Sequence, residues 1–245
     1  MTNALAQGRA LALDTVQVFT KNQQQWSVPP VDPGAAREWL AELGALGWTS
    51  GITWRGRDWG RVVAHASYLI NLASPNSELW EKSVRLMRVE IERCAGLGIP
   101  WLVHHPGSPT GTAAAEGMDR IARAYRRLFK ETRGAPVVLC LENTVGAGST
   151  LGGRFEELAE LRARIVEATG EPHRVGFCFD TCHAHAAGYD MGPRAAAKAV
   201  LESFDTICGL EHLAVVHIND SKAADGFANH CSIFATRRKI VRASP

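Results

Sequence analysis

Residues 174–190 read RVGFCFDTCHAHAAGYD. The run Val175–Asp180 is short and nearly unbroken in apolar residues, the pattern of a parallel strand covered on both faces. It ends on Asp180, and His183 follows three residues later. The same design recurs on either side. Val137–Asn143 (VVLCLEN) ends in Glu142-Asn143, and Trp101–His105 (WLVHH) ends on His105 before Pro106-Gly107-Ser108. Val62–Asn71 carries His65 near its start, before Ser67-Tyr68, and Leu213–Asp220 (LAVVHIND) carries His217. With Val16–Thr20 (VQVFT) these make six β-rich runs. Helical patterns lie between them. Glu81–Leu97 sets Val84, Met87, Ile91 and Cys94 on one stripe, and Arg154–Ala168 does the same with Phe155, Leu158, Leu161 and Ile165. Offsets of three, four and seven mark amphipathic helices facing a sheet. Gly98 and Gly170 follow as helix-ending glycines.

Strand and helix alternate without a long linker, which predicts one α/β domain with a parallel sheet. Periodicity alone leaves a (β/α)8 barrel and a doubly wound open sheet as the two candidates. The polar residues choose between them. His65, His105, Glu142, Asp180 and His217 recur at intervals of 40, 37, 38 and 37 residues, so each βα unit delivers one ligand-type side chain near its strand. A barrel gathers all its strand ends at one mouth, whereas a doubly wound sheet spreads them along a line. Imidazole and carboxylate together, with no thiolate in register, suit a catalytic metal site. Three His and two acids exceed the needs of one tetrahedral ion. They predict two or more metals bridged by a carboxylate, as in phosphoester hydrolysis. His104 alternates with His105 and reads as packing. His173, His185 and His212 fall outside the register, and Cys182 reads as a buried thiol.

The chain has 245 residues, 46% hydrophobic and 21% charged, with a formal net charge of +2. That composition is ordinary for a globular protein and argues against disorder or a collagen-like repeat. No apolar run approaches the ~20 residues of a membrane span, and Met1–Ala10 lacks the plan of a signal peptide. Global charge does not point to a polyanion, so nucleic-acid binding requires a local patch. The six cysteines form no C-x-x-C pair and read as reduced thiols of a cytoplasmic protein.

At these residues the sequence resembles the endonuclease IV family. The matching stretches are VQVFTKNQQQW (16–26), HASYLINLASP (65–75), LGIPWLVHHPGS (97–108), LENTVGAGSTLGGRFEELAEL (141–161), RVGFCFDTCHAHAAGYD (174–190) and VVHINDSK (215–222). The resemblance implies a TIM barrel with three zinc ions that hydrolyses the phosphodiester 5′ to an abasic site in double-stranded DNA. It implies no membrane and no protein partner. Matched by motif, His65, His105 and Glu142 hold the first zinc, and Glu142, also the catalytic carboxylate, bridges to the second. Asp180 and His217 serve the second zinc, and His183 the third. Tyr68 and the loop Lys21–Trp26 face the DNA. Gln24 stands where the family often carries an Arg.

Two departures accompany the match. The family's opening G-A-H-V-S strand has no counterpart, and the chain starts at the helix that follows it, Asn3–Leu13. After NDSK the family has a D-x-H pair and a last strand ending in a ligand Glu. Here His230 matches the His of that pair, Ala228 replaces the Asp, and no Glu occurs after Glu211. At about 38 residues per unit, the length fits about six of eight units. The expectation is a single incomplete TIM-barrel domain over 1–222, followed by a divergent basic tail, 223–245, from a shifted reading frame or a truncated gene. Open sheet edges would favour self-pairing, low stability and little activity. The competing expectations are a degenerate family member and a sugar isomerase or epimerase of the related barrels. The LENT and DTCHA motifs argue against the last of these.

Overall fold

The computed structural model describes residues 2–220 and 231–236. The elements in chain order are α1 (Thr2–Ala10), β1 (Gln17–Val18), α2 (Pro33–Ala45), β2 (Ile52–Trp54), β3 (Arg57–Trp59), β4 (Val63–His65), α3 (Ser77–Gly96) and β5 (Trp101–His104). They continue with α4 (Ala114–Glu131), β6 (Val138–Glu142), α5 (Phe155–Thr169), β7 (Val175–Asp180), α6 (Thr181–Ala186), α7 (Arg194–Cys208), β8 (Leu213–Asp220) and β9 (Cys231–Thr236). Six strands pair in parallel in the order β1-β4-β5-β6-β7-β8. They form a curled sheet with helices on its outer face, part of a (β/α)8 barrel. The six are the runs read from the sequence.

Strand β9 pairs antiparallel with β8, Asp220 opposite Cys231, within the stretch read as a tail. Among the described residues no further parallel strand follows β8. His230 lies outside the described residues.

Two cores follow from strand alternation. The outer core joins helices to sheet, with Val84, Met87 and Ile91 of α3, Ile121 and Leu128 of α4, and Phe155, Leu158 and Ile165 of α5 all buried. The inner core fills the barrel with Val63, Trp101, Val103, Val138, Cys140, Cys178 and Val215. Each inner series runs on, two residues at a time, to a ligand-type residue: Val63 to His65, Val103 to His105, Cys140 to Glu142, Cys178 to Asp180, and Val215 to His217. The site is thus the polar top layer of the inner core. A register shift between Phe177 and Cys178, which pair with Leu213 and Val215, brings Asp180 level with His217.

The hairpin β2–β3 closes the opposite end of the barrel. Its Arg55-Gly56 turn has φ of 49° and 74°, the left-handed pair of a tight hairpin. Trp54, Trp59 and Trp101 meet there with ring centroids 5.3–6.3 Å apart. Sequence reading assigned no strands to this stretch, because three-residue strands carry too little periodicity.

The β-rich run Val62–Asn71 reads as a strand, yet β4 stops at His65. Beyond it the Ser67 backbone N–H turns to Glu90 of α3 at 3.1 Å, and the Ser67 hydroxyl donates to the Gln23 carbonyl at 2.5 Å. These bonds draw the chain out of the sheet.

His104 points outward, as alternation requires. Its Nδ1 donates to the His105 carbonyl at 2.8 Å, so Nε2 accepts from the Tyr125 hydroxyl at 2.5 Å. Burial pushes its imidazole down to about 4. The unfolded chain takes up this proton near pH 6.5 and the folded chain only near 4, so folding stability falls as pH drops through that window. His104→Phe removes both hydrogen bonds and the titration. It is expected to be less stable than wild type at pH 7, with a shallower loss of Tm between pH 6.5 and 4, read by thermal unfolding.

Candidate metal centre

Glu142 ends β6 and is 1% exposed. Four imidazoles surround its carboxylate from two sides. His65 Nε2 and His105 Nε2 each lie 3.1 Å from Oε2. His217 Nδ1 lies 2.7 Å and His183 Nδ1 3.5 Å from Oε1. Asp180 completes the second side, with Oδ2 3.6 Å from His217 Nδ1 and Oδ1 3.9 Å from His183 Nδ1.

The strands and one helix cap place these groups. Asp180 is the N-cap of α6 and accepts the His183 backbone N–H at 2.8 Å. The D-T-C-H spacing thereby returns His183 to the mouth, since an N-cap carboxylate reaches the third helical residue. Asn143 locks β6 to β7. Its side chain donates to the Asp180 carbonyl at 3.0 Å and accepts the Asp180 N–H at 2.6 Å. Its own carbonyl accepts from His183 Nδ1 at 2.9 Å, so a metal held by His183 would take Nε2. His65 Nδ1 donates to the Ala66 carbonyl at 2.7 Å, which would direct a metal to its Nε2. Gln17 Oε1 lies 2.8 Å from His217 Nε2, which would direct a metal there to Nδ1. Such outer bonds fix tautomer and ring direction in metal sites.

Among the described residues three donor groups have their ligand atoms within 4.8 Å of one another: His65, His105 and Glu142; Glu142, Asp180 and His183; and Glu142, Cys178 and His217. Glu142 belongs to all three. Imidazole with carboxylate is a donor set that fits zinc. The electrostatics agree with a site built for a cation. Burial pushes the Glu142 carboxyl up, but His217, His105 and His65 outweigh it and hold the group well below the usual carboxylate range. Burial disfavours the His105 imidazolium, yet the bond to Glu142 raises its proton affinity above the ordinary. For His183, burial prevails and lowers it.

Sequence reasoning passed over three participants. Gln17 is a polar residue inside an apolar strand, which was the available signal. Asn143 was quoted only as a strand end. Cys178 precedes Asp180 by two residues and so shares its face. Burial pushes the Cys178 thiol up to about 12, so it stays protonated in the metal-free protein.

Tyr68 is 53% exposed. Its ring centroid is 5.0 Å from that of His65 and 5.8 Å from that of His105, on a cleft also lined by Asn71 and Ser108. Gln24 is exposed on the neighbouring loop. Lys21, expected to face DNA, turns inward. Its ammonium donates to the carbonyls of Asn22 and Gln25 at 2.8 Å each, with Glu90 3.9 Å away. His173, His185 and His212 join none of the donor groups. Among the described residues five cysteines are buried thiols in no disulfide. No helix there is long and apolar enough to cross a membrane.

A family profile described as "Xylose isomerase-like TIM barrel" matches residues 5–233. "Probable endonuclease 4" of Chloroflexus aurantiacus is 39% identical over 222 residues, covering 91% of this chain and 73% of that protein. "Probable endonuclease 4" of Methanoculleus marisnigri is 42% identical over 219 residues, covering 89% and 72%. The crystal structure of endonuclease IV from Thermus thermophilus superimposes with a TM-score of 0.75 at 35% identity, over 94% of this chain and 76% of that one. A D-tagatose 3-epimerase-like protein shares the fold, with a TM-score of 0.63 at 20% identity. The fold is that of the xylose isomerase-like TIM barrels. Within that class the chain belongs to the endonuclease IV family.

Proposed function

We propose that this chain hydrolyses the phosphodiester 5′ to abasic sites in double-stranded DNA, in the cytoplasm, with zinc held at the barrel mouth. The observation that carries the reading is the shared carboxylate. Glu142 offers Oε2 to His65 and His105, and Oε1 to His217, with Asp180 and His183 beside it. A carboxylate so placed would hold metals on both of its sides, and paired metals favour in-line displacement at phosphorus.

Bound zinc supplies Lewis-acid polarisation of a phosphoryl oxygen and of the attacking water. The protein's own residues do the rest. Glu142 and Asp180 fix the charge of the site, and Asn143, Gln17 and the Ala66 carbonyl fix its ring orientations. Burial, then Glu142, raises the Tyr68 hydroxyl above its ordinary pKa. At neutral pH it therefore remains a neutral hydrogen-bond donor facing the cleft. An abasic nucleotide lacks stacking and is extruded at lower cost than a paired base.

The ligand count favours a second reading, a member that binds metal with little turnover. Among the described residues each donor group has three members and all of them share Glu142. The test is cleavage of a duplex with one abasic site, with zinc supplied and then chelated, alongside metal content per chain. Zinc-dependent incision 5′ to the lesion supports the proposed reaction. Bound zinc without incision supports the second reading, and neither binding nor incision overturns both. We expect fewer than three zinc ions per chain.

A further inference from the structure

Glu90 is a buried acid that the metal chemistry does not use. It lies on α3 and is 1% exposed. Its two oxygens have separate tasks. Oε2 accepts the Thr20 hydroxyl at 2.8 Å, and Oε1 accepts the Ser67 backbone N–H at 3.1 Å. Thr20 opens the loop that ends at Trp26, and Ser67 stands between His65 and Tyr68 in the mouth. One turn along α3, Arg93 donates to the Thr20 carbonyl and, at 2.9 Å, to the Pro29 carbonyl. The Ser67 hydroxyl reaches the Gln23 carbonyl. The inward-turned Lys21 stands near the same carboxylate. Phe19, just before the loop, meets both His65 and Tyr68 at 5.8 Å.

We propose that Glu90 is a positioning residue, clamping the loop Thr20–Trp26 to the segment that carries His65 and Tyr68. It sets the loop's preference for damaged over intact DNA. The proposal rests on the nuclease reading for its substrate but not for its mechanics. Lys21, held inside the loop, supplies order rather than a phosphate contact, and the exposed Gln24, Gln25 and Trp26 are what the loop presents to the substrate. Charge-assisted bonds to a buried carboxylate are about twice as strong as neutral ones, so one carboxylate holds both segments. A glutamine keeps both partners only as uncharged bonds, its oxygen accepting the Ser67 N–H and its NH2 donating to the Thr20 hydroxyl, so the charge assistance is lost.

The test compares the full-length wild type with Glu90→Gln, Thr20→Val and Thr20→Ser, each loaded with zinc. Three quantities are read: amide hydrogen exchange over residues 20–29 and 66–69, zinc per chain, and relative affinity for an abasic-site duplex over the intact duplex. Glu90→Gln and Thr20→Val are expected to keep the wild-type zinc content and α3 protection. Loop exchange should rise, and lesion preference fall, by about tenfold, the scale of one lost charge-assisted bond. Thr20→Ser keeps the hydroxyl and should match wild type. Unchanged loop exchange in both disruptive variants overturns the clamp, as does zinc content falling in step with lesion preference. A wild type with no lesion preference overturns the nuclease reading, and loop exchange then decides the clamp alone.

Discussion

Glu142→Gln is expected to abolish metal binding on both sides of the mouth at once. The carboxylate is common to every donor group among the described residues, and both of its oxygens face imidazoles. Loss of an outer partner of a ligand typically lowers metal affinity 10–100-fold. Loss of the shared ligand itself should exceed about 100-fold and remove zinc-dependent incision with it. The metal-free protein should change as well. Glu142 is held below its ordinary range in the fold, so its contribution is present above the unfolded carboxylate pKa and lost as pH falls through the folded one. The variant lacks that contribution at neutral pH. Titration with zinc, followed by metal content after desalting, checks the first expectation. Thermal unfolding of the metal-free pair at pH 7 checks the second. Wild-type zinc affinity in the variant would remove Glu142 from the centre of the site.

Asn143→Ala is expected to have the next largest effect, through geometry rather than ligation. Its amide serves the Asp180 N–H and carbonyl together; Ala removes both bonds and leaves the buried Asp180 N–H without its partner, while the carbonyl keeps its place at the start of α6. An orphaned buried polar group costs roughly 1–3 kcal/mol, which predicts about 2 kcal/mol of lost stability. The damage should be uneven across the mouth. Asp180 and His183 lose their alignment, whereas His65 and His105 sit on other strands. Zinc binding should therefore weaken in one phase of the titration and persist in the other. A uniform loss in both phases, or none, would refute the division of the mouth into two sides. Denaturant unfolding gives the stability and isothermal titration the phases.

The fold and the ligand register are legible in the sequence for the same reason. Inward residues alternate along a strand, and βα units repeat at a nearly fixed length. Cys140 to Glu142 and Cys178 to Asp180 are therefore both core pattern and site pattern. What stayed hidden depends on partners far apart in the chain. Glu90 reads as one more polar position on α3 until Thr20, 70 residues earlier, is seen beside it. Lys21 reads as a DNA-facing cation until its loop closes on it. The tryptophan-lined hairpin of β2 and β3 is too short for periodicity to mark, although its Arg55-Gly56 turn was a local cue. The end of β4 at His65 is set by Glu90 and Gln23, neither of which adjoins it in sequence.

The bond between Gln17 and His217 spans 200 residues. Among the described residues it joins the first parallel strand to the sixth across the barrel, so one half of the metal mouth waits for the 200 residues between them. Contacts of such separation form late in folding, because their loop entropy must be met before they reward it. During synthesis, His65, His105 and Glu142 emerge well before His217. The nascent chain therefore presents a partial donor set, and the second side of the mouth is completed only after His217 has emerged.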